Sequence, residues 1–200
     1  PNPNHFATRG GSGGGITIFS ATMLGSSDFS MGAFPAEYGN AFSGVFDMQF
    51  RNGNLYTREH TLRAGILGLD IATEGPIQKG KSSYLANFRY STLGILNAMG
   101  VYLVGPRTGN NFQDFSFKIF HKGKKSQFSL WGIGGNSVES FRPADSPRTT
   151  FSDHSQYNFT TQMGVVGASY NYLINDQAYI RLNLAYMGQN QHMVKDTLNS

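Results

Sequence analysis

Residues 178–190 read AYIRLNLAYMGQN, and their alternation constrains the fold more than any other feature of the chain. Ala178, Ile180, Leu182, Leu184 and Tyr186 fall on one side of an extended strand, while Tyr179, Arg181, Asn183, Ala185 and Gln189 fall on the other. One face is apolar and the other mostly polar. The pattern recurs in 83–92, with Tyr84, Ala86, Phe88 and Tyr90 against Ser83, Asn87, Arg89 and Ser91, and in 162–174, with Val166, Ala168, Tyr170, Tyr172 and Ile174 against Gly167, Ser169 and Asn171. Six long strands are expected, at about 57–74, 83–92, 112–121, 126–136, 162–174 and 177–190, preceded by others at 16–24 and 43–54. In 57–74 the alternation changes parity between Ile66 and Leu67, which predicts a bulge near Gly65 or Gly68.

Composition agrees with a sheet. The 200 residues hold 25 Gly, 16 Phe and 10 Tyr, but only 14% are charged, which favours β-structure over a helical bundle. There is no cysteine, so neither disulfides nor thiolate metal sites can form. The apolar run at 93–104, LGILNAMGVYLV, is about half of the roughly 20 residues that a spanning helix needs. The start, PNPNHFATRGG, has neither a leader pattern nor a Met, so an internal or processed piece of a longer chain is expected.

The net charge of +4 raises nucleic-acid binding. Lys79, Lys81, Lys118, Lys122, Lys124 and Lys125 lie in or beside two short turns rather than along a track with stacking aromatics, which argues against it. Catalytic patterns fare no better. The run GGSGGG at 10–15 lacks the Lys-Ser/Thr of a phosphate loop, the five histidines lack metal-ligand spacing, and Asp153-His154-Ser155 are neighbours whose side chains diverge on an extended chain. No enzyme activity, metal or cofactor is expected.

Connection lengths choose between sheets. The expected connections alternate: short at 75–82, long at 93–111, short at 122–125, long at 137–161, short at Asn175-Asp176. Transmembrane barrels have short turns at one rim and long loops at the other. Strands of ten residues or more, at about 3.3 Å each and tilted roughly 40°, also cross an apolar band of about 25 Å. Tyr84 and Tyr90, about 20 Å apart along one face, suit two aromatic girdles. A soluble β-sandwich binding module shares the alternation, but its strands are ordinarily shorter.

The stretch AEYGNAFSGVFDMQFRNGN at 36–54 closely resembles the end of the plug in TonB-dependent outer-membrane transporters, where a Tyr-Gly turn leads through a Gly-Val strand into the first barrel strand. NPNHF and GSGGG upstream, and EGPI and SSYLANFRYST downstream, are similar to the subgroup with a carboxypeptidase-regulatory-like domain ahead of the plug. The resemblance implies an all-β fragment of a plugged antiparallel transmembrane barrel. Residues 1–54 would be the C-terminal part of the plug and 55–200 the first part of a barrel of about 22 strands. It implies energised nutrient uptake at a Gram-negative outer membrane. The implied partners are the TonB complex through a region upstream, membrane lipid and lipopolysaccharide, and a surface lipoprotein lid, with no nucleic acid. Glu37, Tyr38, Gly39, Gly44, Val45 and Arg51 would form the junction between plug and wall, with Glu37 and Arg51 as latching charges. Arg107, Phe141, Arg142 and Tyr157 are the candidate ligand contacts in the outer loops. A plugged barrel serving as a docking or secretion scaffold is the alternative on the same architecture.

Overall fold

A computed structural model describes residues 4–5, 16–32, 44–101, 108–142 and 155–197. Seven consecutive antiparallel strands form one sheet in sequence order: β5 (Glu59–Gly65), β6 (Gly68–Gln78), β7 (Ser82–Ser91), β8 (Thr108–Lys122), β9 (Ser126–Phe141), β10 (Ser155–Asn175) and β11 (Ala178–Thr197). The last two run to 21 and 20 residues, several times the usual length of five or six. Ahead of this sheet lie two small pairs. β1 (Asn4–His5) joins β2 (Ile16–Thr17), and β3 (Leu24–Met31) joins β4 (Gly44–Phe50). The fold is all-β with antiparallel sheets.

Three expectations are corrected. The segment 57–74 is not one bulged strand but a hairpin, β5 to β6, with Ile66 and Leu67 as its turn. Pairing Leu62 with Ile71 and Ala64 with Leu69 puts both halves' apolar residues on one face, so a reversal of chain direction, not an extra residue, causes the change in parity. The sheet therefore has seven strands rather than six. Next, 16–24 is not one strand. Only Ile16 and Thr17 pair with β1, a turn occupies 21–23, and the longer strand β3 follows. Finally, the expected loop at 93–111 contains a short helix, α1 (Leu93–Ala98), which leaves the chain through Gly100 at φ 82°, a left-handed angle that suits glycine.

One rim carries only short connections, at 79–81, 123–125 and 176–177. The opposite rim carries 92–107 and 142–154, but also the two-residue turn at 66–67, so the strict alternation breaks at the first hairpin. Among the described residues no helix is long and apolar enough to cross a membrane, which says nothing of strands.

The two faces invert the usual arrangement. In register across β7 to β11 run Phe88, Phe115, Gly134, Gly164 and Gly188, then Ala86, Phe117, Gly132, Val166 and Tyr186, then Tyr84, Ile119, Leu130, Ala168 and Leu184. This face is apolar and open: Leu184 and Tyr186 are 76% and 77% exposed. The opposite face presents Asp70, Glu74, Asn87, Asp114 and Ser116, and of these Glu74, Asn87, Asp114 and Ser116 are buried. Polar side chains are covered on one face, beside Leu85, Phe112, Phe120 and Ile133, while the large apolar ones of the other face are not. A shallow furrow of about 610 Å³ over the glycines of β9, β10 and β11 opens onto the apolar face, away from the polar cluster.

Candidate functional site: the polar face and the segments docked on it

The polar face is covered by 4–5, 16–23 and 50–54, each tied to it by charge-assisted bonds. Arg51 makes the most extensive contact. Its Nη1 and Nη2 donate to the two oxygens of Glu74 on β6 at 2.8 and 2.6 Å, and its Nε donates to the Thr22 carbonyl at 2.8 Å. The Arg51 backbone amide also donates to the Met23 carbonyl at 2.9 Å, and the Asn54 amide donates to Glu74 at 2.8 Å. The fork of a guanidinium matches the two lone-pair directions of a carboxylate, which is why one side chain can hold three elements. Glu74 raises the Arg51 pKa above its ordinary value through that hydrogen bond, against the opposing effect of burial.

The adjacent anchor is Asp114 on β8. Its carboxylate accepts from Arg89 on β7 at 2.9 and 2.7 Å and lies 2.9 Å from His5 Nε2. Arg89 also donates to the Thr17 carbonyl at 2.7 Å. The Asp114 side chain is fully buried and that of Arg89 is 16% exposed. Phe112 lies under both partners, 4.7 Å from the His5 ring and 5.9 Å from the guanidinium carbon. Further along, Ser20 donates to Asp70 at 2.9 Å, and Asn87 donates to the other Asp70 oxygen at 2.5 Å. Lys118 donates to the Phe50 carbonyl at 2.5 Å, and the Phe50 ring packs edge-on against Trp131 of β9.

Backbone approach supplies the remaining constraint. A Cβ at Gly53 would strike the carbonyl of Tyr84 on β7, so the chain leaving β4 passes too close to the sheet for any other residue. Gly44 is also tight: a Cβ there would meet the Ser30 carbonyl at 3.2 Å and the Phe29 ring at 3.3 Å.

Of the junction residues expected from sequence, Arg51 is bonded to Glu74 of β6, while Gly44 and Val45 open β4 opposite Met31 and Ser30. Glu37, Tyr38 and Gly39 lie outside the described residues, as does Arg107. Phe141 and Tyr157 are brought together at the rim with the long connections, paired across β9 and β10 and stacked at 5.7 Å. Tyr157 donates to Glu139 at 2.6 Å, and Arg142 stands exposed just beyond β9.

Sequence reasoning missed Glu74, Asp70, Asp114, His5, Ser20 and Gly53. A signal existed for three of them. Asp70, Glu74 and Asp114 occupy the polar parity of otherwise apolar strands, as Asn87 and Arg89 do, and buried charge on a sheet face calls for a partner. Comparison with family models, curated proteins and solved structures returned no match to this chain.

Proposed function

We propose that this chain is part of a plugged outer-membrane barrel of the TonB-dependent transporter type, in which the docked N-terminal segments belong to the plug and the seven-stranded sheet to the wall. One observation carries the reading: the sheet buries Glu74 and Asp114 on its covered face, while Phe88, Phe115, Leu182, Leu184 and Tyr186 on the other face stand exposed. In water, such an apolar expanse is unfavourable and marks a surface that meets something other than solvent. In a bilayer it faces lipid, while the polar face lines an interior.

The dimensions support this reading. From Gly188 to Ile180 on β11, eight residue steps of about 3.3 Å span roughly 26 Å along the strand, close to the apolar band of about 25 Å before tilt is allowed for. Beyond the glycine row, Gln113, Asn136, Gln162 and Asn190 continue the same face as a line of amides, so the apolar band has an edge. The latch fits the function as well. Plug segments held by bonds from Arg51, His5 and Ser20 to wall carboxylates can be released by force and can reform, which an apolar core seam would resist.

The test is fractionation of cells expressing the protein, then gel mobility of the detergent-extracted material before and after boiling. Recovery in the outer membrane with a fast unboiled band is expected. A soluble protein with a single mobility would end the reading. Ligand uptake that persists without the energising complex would turn it toward a docking or secretion scaffold.

A further inference from the structure

Two neighbouring turns repeat the tripeptide Lys-Gly-Lys. Lys79-Gly80-Lys81 joins β6 to β7, and Lys122-Gly123-Lys124, followed by Lys125, leads from β8 to β9. Pairing of β7 with β8 sets the turns side by side, and the Lys122 amide donates to the Lys81 carbonyl at 2.7 Å. Gly80 takes φ 71°, so the first turn needs its glycine. All five lysines are exposed, and none is in an ion pair with another described residue. Lys125 touches the Ile174 carbonyl at 3.4 Å. Of the nearby carboxylates, Glu74 is engaged by Arg51 and Glu59 accepts from Asn54 and Thr57, leaving Asp176 of the third turn.

This basic rim borders the apolar face. Tyr84 follows Lys81 by three residues, Phe128 follows Lys125 by three, and Tyr170 and Tyr172 stack at 6.4 Å beside them. We propose that the paired Lys-Gly-Lys turns bind phosphate headgroups of anionic phospholipids in the leaflet nearest the short turns. This rests on the reading that the apolar face meets lipid. A lysine stem can lie along apolar surface while its ammonium stays among the headgroups, and an aromatic row at the same depth sits at the interface. Like charges that repel in water are brought into register with a sheet of phosphates. A soluble polyanion fits less well, because the aromatic rings adjoining the lysines belong to the aliphatic band rather than to a track between them.

The experiment reconstitutes the protein in vesicles with trace spin-labelled phosphatidylglycerol or phosphatidylcholine and measures the motionally restricted fraction of each. Phosphatidylglycerol should be retained several-fold over phosphatidylcholine. The preference should fall toward parity in about 1 M salt, where the screening length is about 3 Å. It should also vanish when Lys79, Lys81, Lys122, Lys124 and Lys125 are all changed to Gln, and return when all are changed to Arg, with heat-modifiable mobility kept in both variants. Equal retention of the two lipids by the unsubstituted protein overturns the headgroup proposal and leaves the membrane reading standing. No restricted component from either lipid overturns both. A preference abolished by polyglutamate at matched charge makes the rim a general polyanion surface and also overturns the proposal.

Discussion

Arg51 and Glu74 illustrate how much one pair can hold. The bonds are bidentate, yet the Arg51 side chain is 34% exposed, so the pair ranks below a fully buried one. Replacing either Arg51 by Ala or Glu74 by Gln should destabilise by roughly 2 kcal/mol in denaturant unfolding, the range for hydrogen bonds to charged groups. The double variant should lose less than the sum. Additive losses would mean that the two side chains act independently. Asp114 is more demanding, because its side chain is fully buried and Arg89 is nearly so. Asp114→Asn should cost roughly 3–5 kcal/mol by leaving a guanidinium without its counter-charge, while Asp28→Asn on the exposed strand β3 should change stability by less than about 0.5 kcal/mol.

Where one backbone passes close to another, glycine marks the place. Gly53→Ala should destabilise by at least about 1–3 kcal/mol, the range for overpacking, because the obstacle is the Tyr84 carbonyl of a central strand and not a side chain that can turn away. Gly188→Ala, with open space around its Cβ, serves as the control and should be nearly silent by the same unfolding measurement. The hairpin at 66–67 teaches a related lesson. A change of parity in an alternating segment has two causes, a bulge or a reversal, and without an Asn-Gly or Asp-Gly signal the two look alike in one dimension. What separated them was β5 pairing back on β6, Leu62 with Ile71 and Ala64 with Leu69, which a single extended strand cannot do.

The assembled sheet makes a prediction of very different size in the two environments that it could face. Leu184 lies mid-band and is 76% exposed. Leu184→Arg should cost about 2–4 kcal/mol for folding into vesicles if that face meets hydrocarbon, but stay within about 0.5 kcal/mol if it meets water. Folding titrations in vesicles read the difference directly, and a silent substitution would count against the lipid-facing assignment.

The alternation of 83–92, 162–174 and 177–190 was enough to determine β-structure and which residues share a face, because the side-chain period of a strand is local and always two, whereas β10 and β11 run to 21 and 20 residues, well past the expected bounds. The polar parity of Asn87 and Arg89 was legible for the same reason. The partners of that polar face were not. His5 finds Asp114 across 109 positions, and Arg51 finds Glu74 across 23, through chain paths whose loops carry no periodic signal. Which face is covered and which left open was likewise decided only by tertiary structure. Alternation is symmetric between its two sides, and only the docking of 4–5, 16–23 and 50–54 onto the carboxylates breaks that symmetry.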